Sequence, residues 1–201
     1  MDKKIKVLIV VDYQKDFVDG ALGFDKAKEL DVGIAKLMKE YAEDENGVIL
    51  CTFDTHNEDY LETQEGKKLP VKHCIKGTPG WELYGEVGMT EIMYPLKCTR
   101  VKKSTFGSKE LIEKLRHFNS HPANRDKFNA GIDTEWVHNQ IESITLVGVV
   151  TNMCVISNAV IAKAACPEAE IIIKKDLVAS NDDELHKKAL DVMASMQMTI
   201  E

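Results

Sequence analysis

The chain has no paired-cysteine motif, no basic stripe and no apolar run long enough to cross a bilayer, and each absence removes a class of function. The five cysteines are an odd number at irregular spacing with no CxxC pair, so no disulfide framework is written into the sequence. Acidic and basic residues are interspersed and sum to −7 at pH 7. A nucleic-acid binder needs a basic stripe, and the one dense cluster, Arg100 to Lys103, is short enough to be a solvated strand end. The opening Met1-Asp2-Lys3-Lys4 is charged, and Ile5 to Val11 is too short for a signal-peptide core or a membrane span. The expectation is a cytoplasmic protein without membrane or nucleic-acid partners. Internal repeats and low-complexity tracts are missing too.

What is present is an alternation of strand and helix patterns. Ile5 to Val11 is nearly continuous in apolar residues, as in a strand buried on both faces. Asp25 to Glu43 has helical spacing, with Ala27, Leu30, Ile34, Leu37 and Tyr41 on one face. Gly47 to Phe53 reads as a second strand, residues 97–101 as a third and Ser108 to His117 as a helix. Between them, residues 54–94 look irregular. Asn119 to Gly131 is a polar excursion, and Asp133 is placed to cap a helix through Ile141. Ile144 to Val150 predicts a strand, Asn152 to Ala165 a helix stopped by Pro167, and Ile171 to Ile173 a short strand. Asp182 to Met196 predicts a last helix and Met198 to Glu201 a terminal strand.

At 201 residues the chain fits one domain over 1–201. The alternation predicts an α/β fold, a Rossmann-like parallel sheet with helices on both faces in three layers. Ligands of such sheets sit at the carboxyl ends of the strands. That rule selects Asp12, Asp54, the Lys102-Lys103 pair and Thr151 to Cys154.

Cys154 follows a strand end and precedes a helix, where free N–H groups and the helix dipole favour a thiolate and can hold an oxyanion. The alternative is a small buried hydrophobe. Cys51, inside a strand, and Cys166, before Pro167, look structural. Asp12 could take the thiol proton and return it to a leaving amine, or could simply cap the next turn. A lysine beside them would hold thiol and carboxylate in their charged forms. Asp54 and His56 alternate on an extended segment and can share one centre. His73 could close it, with Glu65 as a fourth ligand; the alternative is two unrelated loop histidines. Oxygen and imidazole ligands without thiolate suit a divalent Zn, Fe or Mn ion.

Four stretches, Ile9 to Phe17, Phe53-Asp54-Thr55-His56, His73 to Gly80 and Gly148 to Val155, together resemble the isochorismatase-like cysteine hydrolases, in that family's order. The resemblance implies an Asp–Lys–Cys triad, with Asp12 as general acid/base and Cys154 as nucleophile. It implies an oxyanion hole from the backbone N–H groups of Val150 and Cys154, and a cis peptide at Val149–Val150. Phe17 matches an aromatic that packs on the substrate ring in nicotinamidases. Asp54, His56 and His73 match the nicotinamidase metal site, which isochorismatases lack, and Glu65 matches a carboxylate ligand of some members. For the lysine, Lys103 fits the compact form Lys103-Ser104-Thr105-Phe106-Gly107, with Lys102 and Arg100 as rivals. Asn152 stands where Asp is common, and Leu69-Pro70-Val71-Lys72 lacks the aromatic that closes the nicotinamide pocket.

The implied activity is metal-dependent hydrolysis of nicotinamide or a related small amide to the acid and ammonia, through a cysteine thioester. Hydrolysis of another amide or a ureido compound is the alternative. Vinyl-ether cleavage would leave the metal ligands without a role, and a non-catalytic binding protein would not need acid, lysine and thiol together. Homo-oligomerisation stays open.

Overall fold

The structure, a computed structural model, describes residues 4–119 and 140–201. The excursion beyond Asn119 and the helix from Asp133 lie outside the described residues. Six strands form one parallel sheet: β1 (Ile5–Val11), β2 (Gly47–Asp54), β3 (Cys98–Lys103), β4 (Ile141–Val149), β5 (Glu170–Ala179) and β6 (Thr199–Ile200). Their spatial order is β3-β2-β1-β4-β5-β6. The expected parallel α/β architecture is therefore the one observed.

Strand β1 shows why the sequence folds this way. Its side chains alternate between two cores: Leu8 and Val10 face one, Val7, Ile9 and Val11 the other. Both faces must be covered, so the pattern is apolar throughout. Helices α1 (Lys15–Val18), α2 (Asp25–Glu29), α3 (Asp31–Glu43) and α5 (Gly85–Met93) contribute Phe17, Ala27, Met38 and Val87 to the first core. Helices α6 (Lys109–Asn119), α7 (Ile156–Ala165) and α8 (Asp183–Ser195) contribute Leu111, Ala159 and Met193 to the second. A short helix, α4 (Gln64–Lys68), lies in the segment after β2.

Several expectations change. The helix over 25–43 is two helices that meet at Leu30, whose N–H bonds back to Ala27 at 3.3 Å in a tightened turn. Its buried face is Ile34, Ala35, Met38 and Ala42, with Leu37 and Tyr41 only half-buried. The irregular stretch 54–94 contains α5. Polar Thr90 and Glu91 face inward there while Met89, Ile92 and Met93 face water, so the apolar period points the wrong way. Strand β5 runs on past Ile173: Lys174 to Leu177 bulge between the pairs Leu146–Ile173 and Gly148–Val178. Ile141 opens β4. The expected helix from Asn152 starts as a π turn, Thr151–Val155, and becomes α-helical at Ile156.

The strand order brings the carboxyl ends of β3, β2, β1 and β4 side by side. Asp54 pairs in register with Lys103, and Val11 lies between Thr52 and Gly148. Gly148 has φ +107°, and a Cβ there would stand 2.2 Å from the Val11 carbonyl oxygen. Only glycine lets β4 approach β1 this closely beside Asp12.

Candidate active site

Asp12, at the end of β1, is fully buried with φ 45°. Thr52 on the neighbouring strand fixes it twice. The Asp12 N–H donates to the Thr52 hydroxyl oxygen at 3.1 Å, and that hydroxyl donates to Asp12 Oδ1 at 2.7 Å. The other carboxylate oxygen meets Lys103 Nζ at 2.7 Å. The same ammonium lies 3.2 Å from Asp54 Oδ1 and 3.5 Å from Cys154 Sγ. Among the rival bases, Lys103 is thus brought to both the acid and the thiol. Lys102 is exposed, as strand parity requires. Arg100 is held by Glu91 and Glu82 at 2.5–2.8 Å and lies over the Phe53 ring.

Burial dominates the charges of this trio. It pushes the Cys154 thiol well above the ordinary range; Lys103 opposes the shift, while Asp12 and Asp54 add to it. The Asp12 carboxyl is raised by burial as well, against the pull of Lys103. For Lys103, burial favours the neutral amine, but Asp12, Cys154 and Asp54 outweigh it and hold the ammonium well above its usual range. The expectation that the lysine and a helix end favour the thiolate meets an opposing effect: burial, with Cys154 6% exposed, and two nearby carboxylates push the thiol up against the pull of Lys103. The raised Asp12 carboxyl is a better acceptor for that proton than an ordinary carboxylate.

The turn that carries Cys154 begins after a cis Val149–Val150 peptide, where the resemblance implied one. The N–H groups of Met153 and Val155 both donate to the Val150 carbonyl, at 3.0 and 3.2 Å. The turn therefore wraps around Val150 and sets its backbone close to that of Cys154.

Beside the trio, Asp54, His56, Glu65 and His73 converge, with one ligand atom from each lying within 4.8 Å of the others. Asp54 Oδ2 is 3.1 Å from His56 Nε2 and 3.4 Å from His73 Nε2, and Glu65 Oε1 is 3.8 Å from His56 Nε2. His73 Nδ1–H donates to the Val71 carbonyl at 2.8 Å, which turns Nε2 toward the cluster, as a metal-ligating imidazole is oriented. Burial opposes the charge on Asp54, yet its bonds to His56 and His73 and the charge of Lys103 hold the carboxyl well below the usual range. Two imidazoles and two carboxylates without a thiolate are a donor set that fits a divalent transition ion. Tyr60 packs on both imidazoles, with ring centroids 4.5 and 4.9 Å away, and Phe17 lies 5.4 Å from His73. Cys74 is buried in the core.

Three positioning side chains were not singled out from the sequence: Thr52, Gln14 and Asn158. Buried Gln14 grips the Asp54 backbone at both ends, accepting from its N–H at 2.8 Å and donating to its carbonyl at 2.9 Å, and also donates to the Trp81 carbonyl at 2.8 Å. Asn158 accepts from the Ser108 N–H at 3.1 Å and donates to the carbonyls of Phe106 and Cys154 at 3.0 and 2.8 Å. It ties the loop after Lys103 to the thiol-bearing turn. The available signal was a lone polar residue at a helical position otherwise lined by small apolar side chains.

The fold is that of the isochorismatase-like hydrolases. Residues 6–201 match the isochorismatase domain, and the chain belongs to that family. An isochorismatase family protein of Bacillus subtilis (strain 168), PncA, is 30% identical over 200 residues, covering 94% of each chain. The crystal structure of nicotinamidase/pyrazinamidase PncA from Bacillus subtilis superposes with a TM-score of 0.78 at 25% identity, over 98% of both chains. Pyrazinamidase of Pyrococcus horikoshii, solved in complex with zinc, shares the fold with a TM-score of 0.73 at 22% identity, over 98% of both chains. No helix among the described residues is long and apolar enough to cross a membrane.

Proposed function

We propose that the protein hydrolyses nicotinamide, or a closely related small aromatic amide, to the carboxylic acid and ammonia. The observation that carries this reading is Lys103. Its ammonium touches Asp12 and Cys154 on one side and Asp54 of the imidazole–carboxylate cluster on the other. A substrate with a carboxamide at one end and a ring nitrogen a few ångströms away matches that pair of neighbouring centres. The relatives described as nicotinamidase and pyrazinamidase act on such compounds.

In this mechanism Asp12 takes the Cys154 proton as sulfur attacks the amide carbon. The new oxyanion accepts from the backbone N–H groups of Val150 and Cys154. Asp12 then gives its proton to the leaving nitrogen, the C–N bond breaks, and ammonia departs from a thioester. Water attacks the thioester, its proton passes through Asp12 back to sulfur, and the acid is released. Lys103 stays protonated throughout and balances the anionic partners. Phe17 packs on the ring. A divalent ion held by Asp54, His56, His73 and Glu65 would supply a Lewis-acid site for a ring nitrogen or a water.

The test is ammonia release from a panel of nicotinamide, pyrazinamide, benzamide and an N-carbamoyl amino acid. Nicotinamide and pyrazinamide are expected to turn over well above benzamide, which lacks the ring nitrogen. Preference for the carbamoyl compound would overturn the assignment of substrate.

The role of Lys103 has its own check. Its charge lowers the Cys154 pKa against burial, so Lys103→Met removes that help and the thiol becomes harder to ionise. The pH profile of Cys154 alkylation by iodoacetamide is expected to move upward in Lys103→Met and to stay in place in Lys102→Met and Arg100→Met. A shift in either rival with none in Lys103→Met would reassign the base.

A further inference from the structure

Helix α5 carries two stripes, and only one is covered. The inner stripe is Val87, Thr90, Glu91 and the following Tyr94. Val87 and Tyr94 pack in the core, the Thr90 hydroxyl bonds back to the Glu86 carbonyl at 2.8 Å, and Glu91 is held by Arg100. The outer stripe is Met89, Ile92 and Met93, at spacing i, i+3 and i+4, followed by Leu96 in the turn after the helix, and these residues are 57%, 71%, 57% and 100% exposed. Among the exposed residues from 85 to 96, only Glu86 is charged. A helix with apolar side chains on its outward face belongs in an interior. Here the outward face meets water over an area at the upper end of what monomers expose, on the order of 500 Å².

We infer that this stripe is the centre of an interface with a second copy of the chain. The charges narrow the occupant. A membrane surface would call for lysines and arginines around the stripe, and the segment has an acid at one end in a chain of net charge −7. A strongly basic or acidic partner would find almost nothing to pair with. A second α5, antiparallel across a two-fold axis, meets every condition. The three helical side chains form a row that packs ridge into groove against its own copy, with Leu96 just beyond its end. Methionines adapt to the fit. The two Glu86 carboxylates fall at opposite ends of the seam, so like charges stay apart. Helix α5 leads into β3, an edge strand of the sheet among the described residues. The stripe and Leu96 together supply more than half of the about 800 Å² per partner in a standard interface, and residues flanking the helix supply the rim.

The proposal is independent of the active-site reading and is tested by sedimentation velocity on the full chain at micromolar concentration. The wild type is expected to sediment as a dimer. Ile92→Asp places two facing carboxylates in the seam and is expected to weaken the dimer by about 100-fold or more. Leu96→Asp alters a fully exposed side chain beyond the helix end, so its dissociation would not reflect misfolding. Val192→Asp, on α8 at the opposite face, is expected to leave the dimer intact. A monomeric wild type, a dimer that persists in both stripe variants, or equal dissociation in Val192→Asp would each overturn the assignment.

Discussion

Replacing Cys154 with alanine is expected to abolish ammonia release, by at least about 10³-fold in kcat, while leaving the fold and its thermal midpoint nearly unchanged. Both halves of that expectation follow from the geometry. The sulfur lies 3.5 Å from Lys103 Nζ, which meets Asp12 at 2.7 Å, and its turn wraps around the Val150 carbonyl. A methyl group in its place cannot form a thioester, and a water admitted there would lack the two-step route by which ammonia leaves before hydrolysis. The substitution removes one buried sulfur and leaves the ion pairs of Lys103 with Asp12 and Asp54 at 2.7 and 3.2 Å in place. No charge is orphaned, so the usual source of severe destabilisation at a buried ionic site is avoided. Far-UV circular dichroism and thermal unfolding check the fold, and ammonia release checks the chemistry. A variant that retains a tenth of the wild-type rate would remove Cys154 from the mechanism.

The resting state matters to this expectation. Because burial pushes the Cys154 thiol up, its reactivity toward small alkylating agents at neutral pH is expected to be a poor guide to its reactivity toward substrate. In the proposed reaction the amide brings no charge, so the proton moves within the site, and Asp12, paired with Lys103 at 2.7 Å, is the proposed acceptor. Its carboxyl is shifted upward by the same burial, against the pull of Lys103, which makes it a better proton acceptor than an ordinary carboxylate.

How much of this could be read from the sequence depended on the kind of signal. Strands β1, β2 and β4 were legible because a strand buried on both faces leaves an apolar run, and the rule that ligands gather at carboxyl ends then picked out Asp12, Asp54, the Lys102-Lys103 pair and Thr151 to Cys154. Strand parity lets only one of the two lysines reach the rim, and the resemblance to the compact form Lys103 to Gly107 is what favoured Lys103. The depth of burial was not legible: nothing in the residues around Cys154 says that the turn sinks until desolvation outweighs a lysine 3.5 Å away. Thr52, Gln14 and Asn158 were missed because each acts across the fold, on Asp12, Asp54 and the Cys154 turn, at sequence separations that no local period reports. Helix α5 was missed for the opposite reason. Its apolar period was present, but it marks the outward face, while Glu91 goes inward only because Arg100 waits there.

Removal of metal is the second large effect expected. The four ligand atoms of Asp54, His56, Glu65 and His73 lie within 4.8 Å of one another, and two of those groups are carboxylates. Close carboxylates repel unless a cation sits between them or protons bind. Lys103 answers for only one oxygen of Asp54, on the side facing Asp12. A divalent ion would replace the protons that the imidazoles share with Asp54 Oδ2 and would take Glu65 as a further ligand. One zinc, iron or manganese ion per chain is therefore expected in protein purified without chelator, read by elemental analysis. Stripping it is expected to raise KM for nicotinamide by at least about tenfold or to abolish turnover, with activity returning on addition of one of these ions. Unfolding should be little affected, because both apolar cores are built from side chains outside the cluster and a sheet of this size folds without a metal. His73→Ala should reproduce the stripped behaviour, since it removes one ligand and leaves Asp12, Lys103 and Cys154 untouched. Fully active, metal-free protein would refute the ion's role and withdraw the main reason for preferring a pyridine amide over other amides.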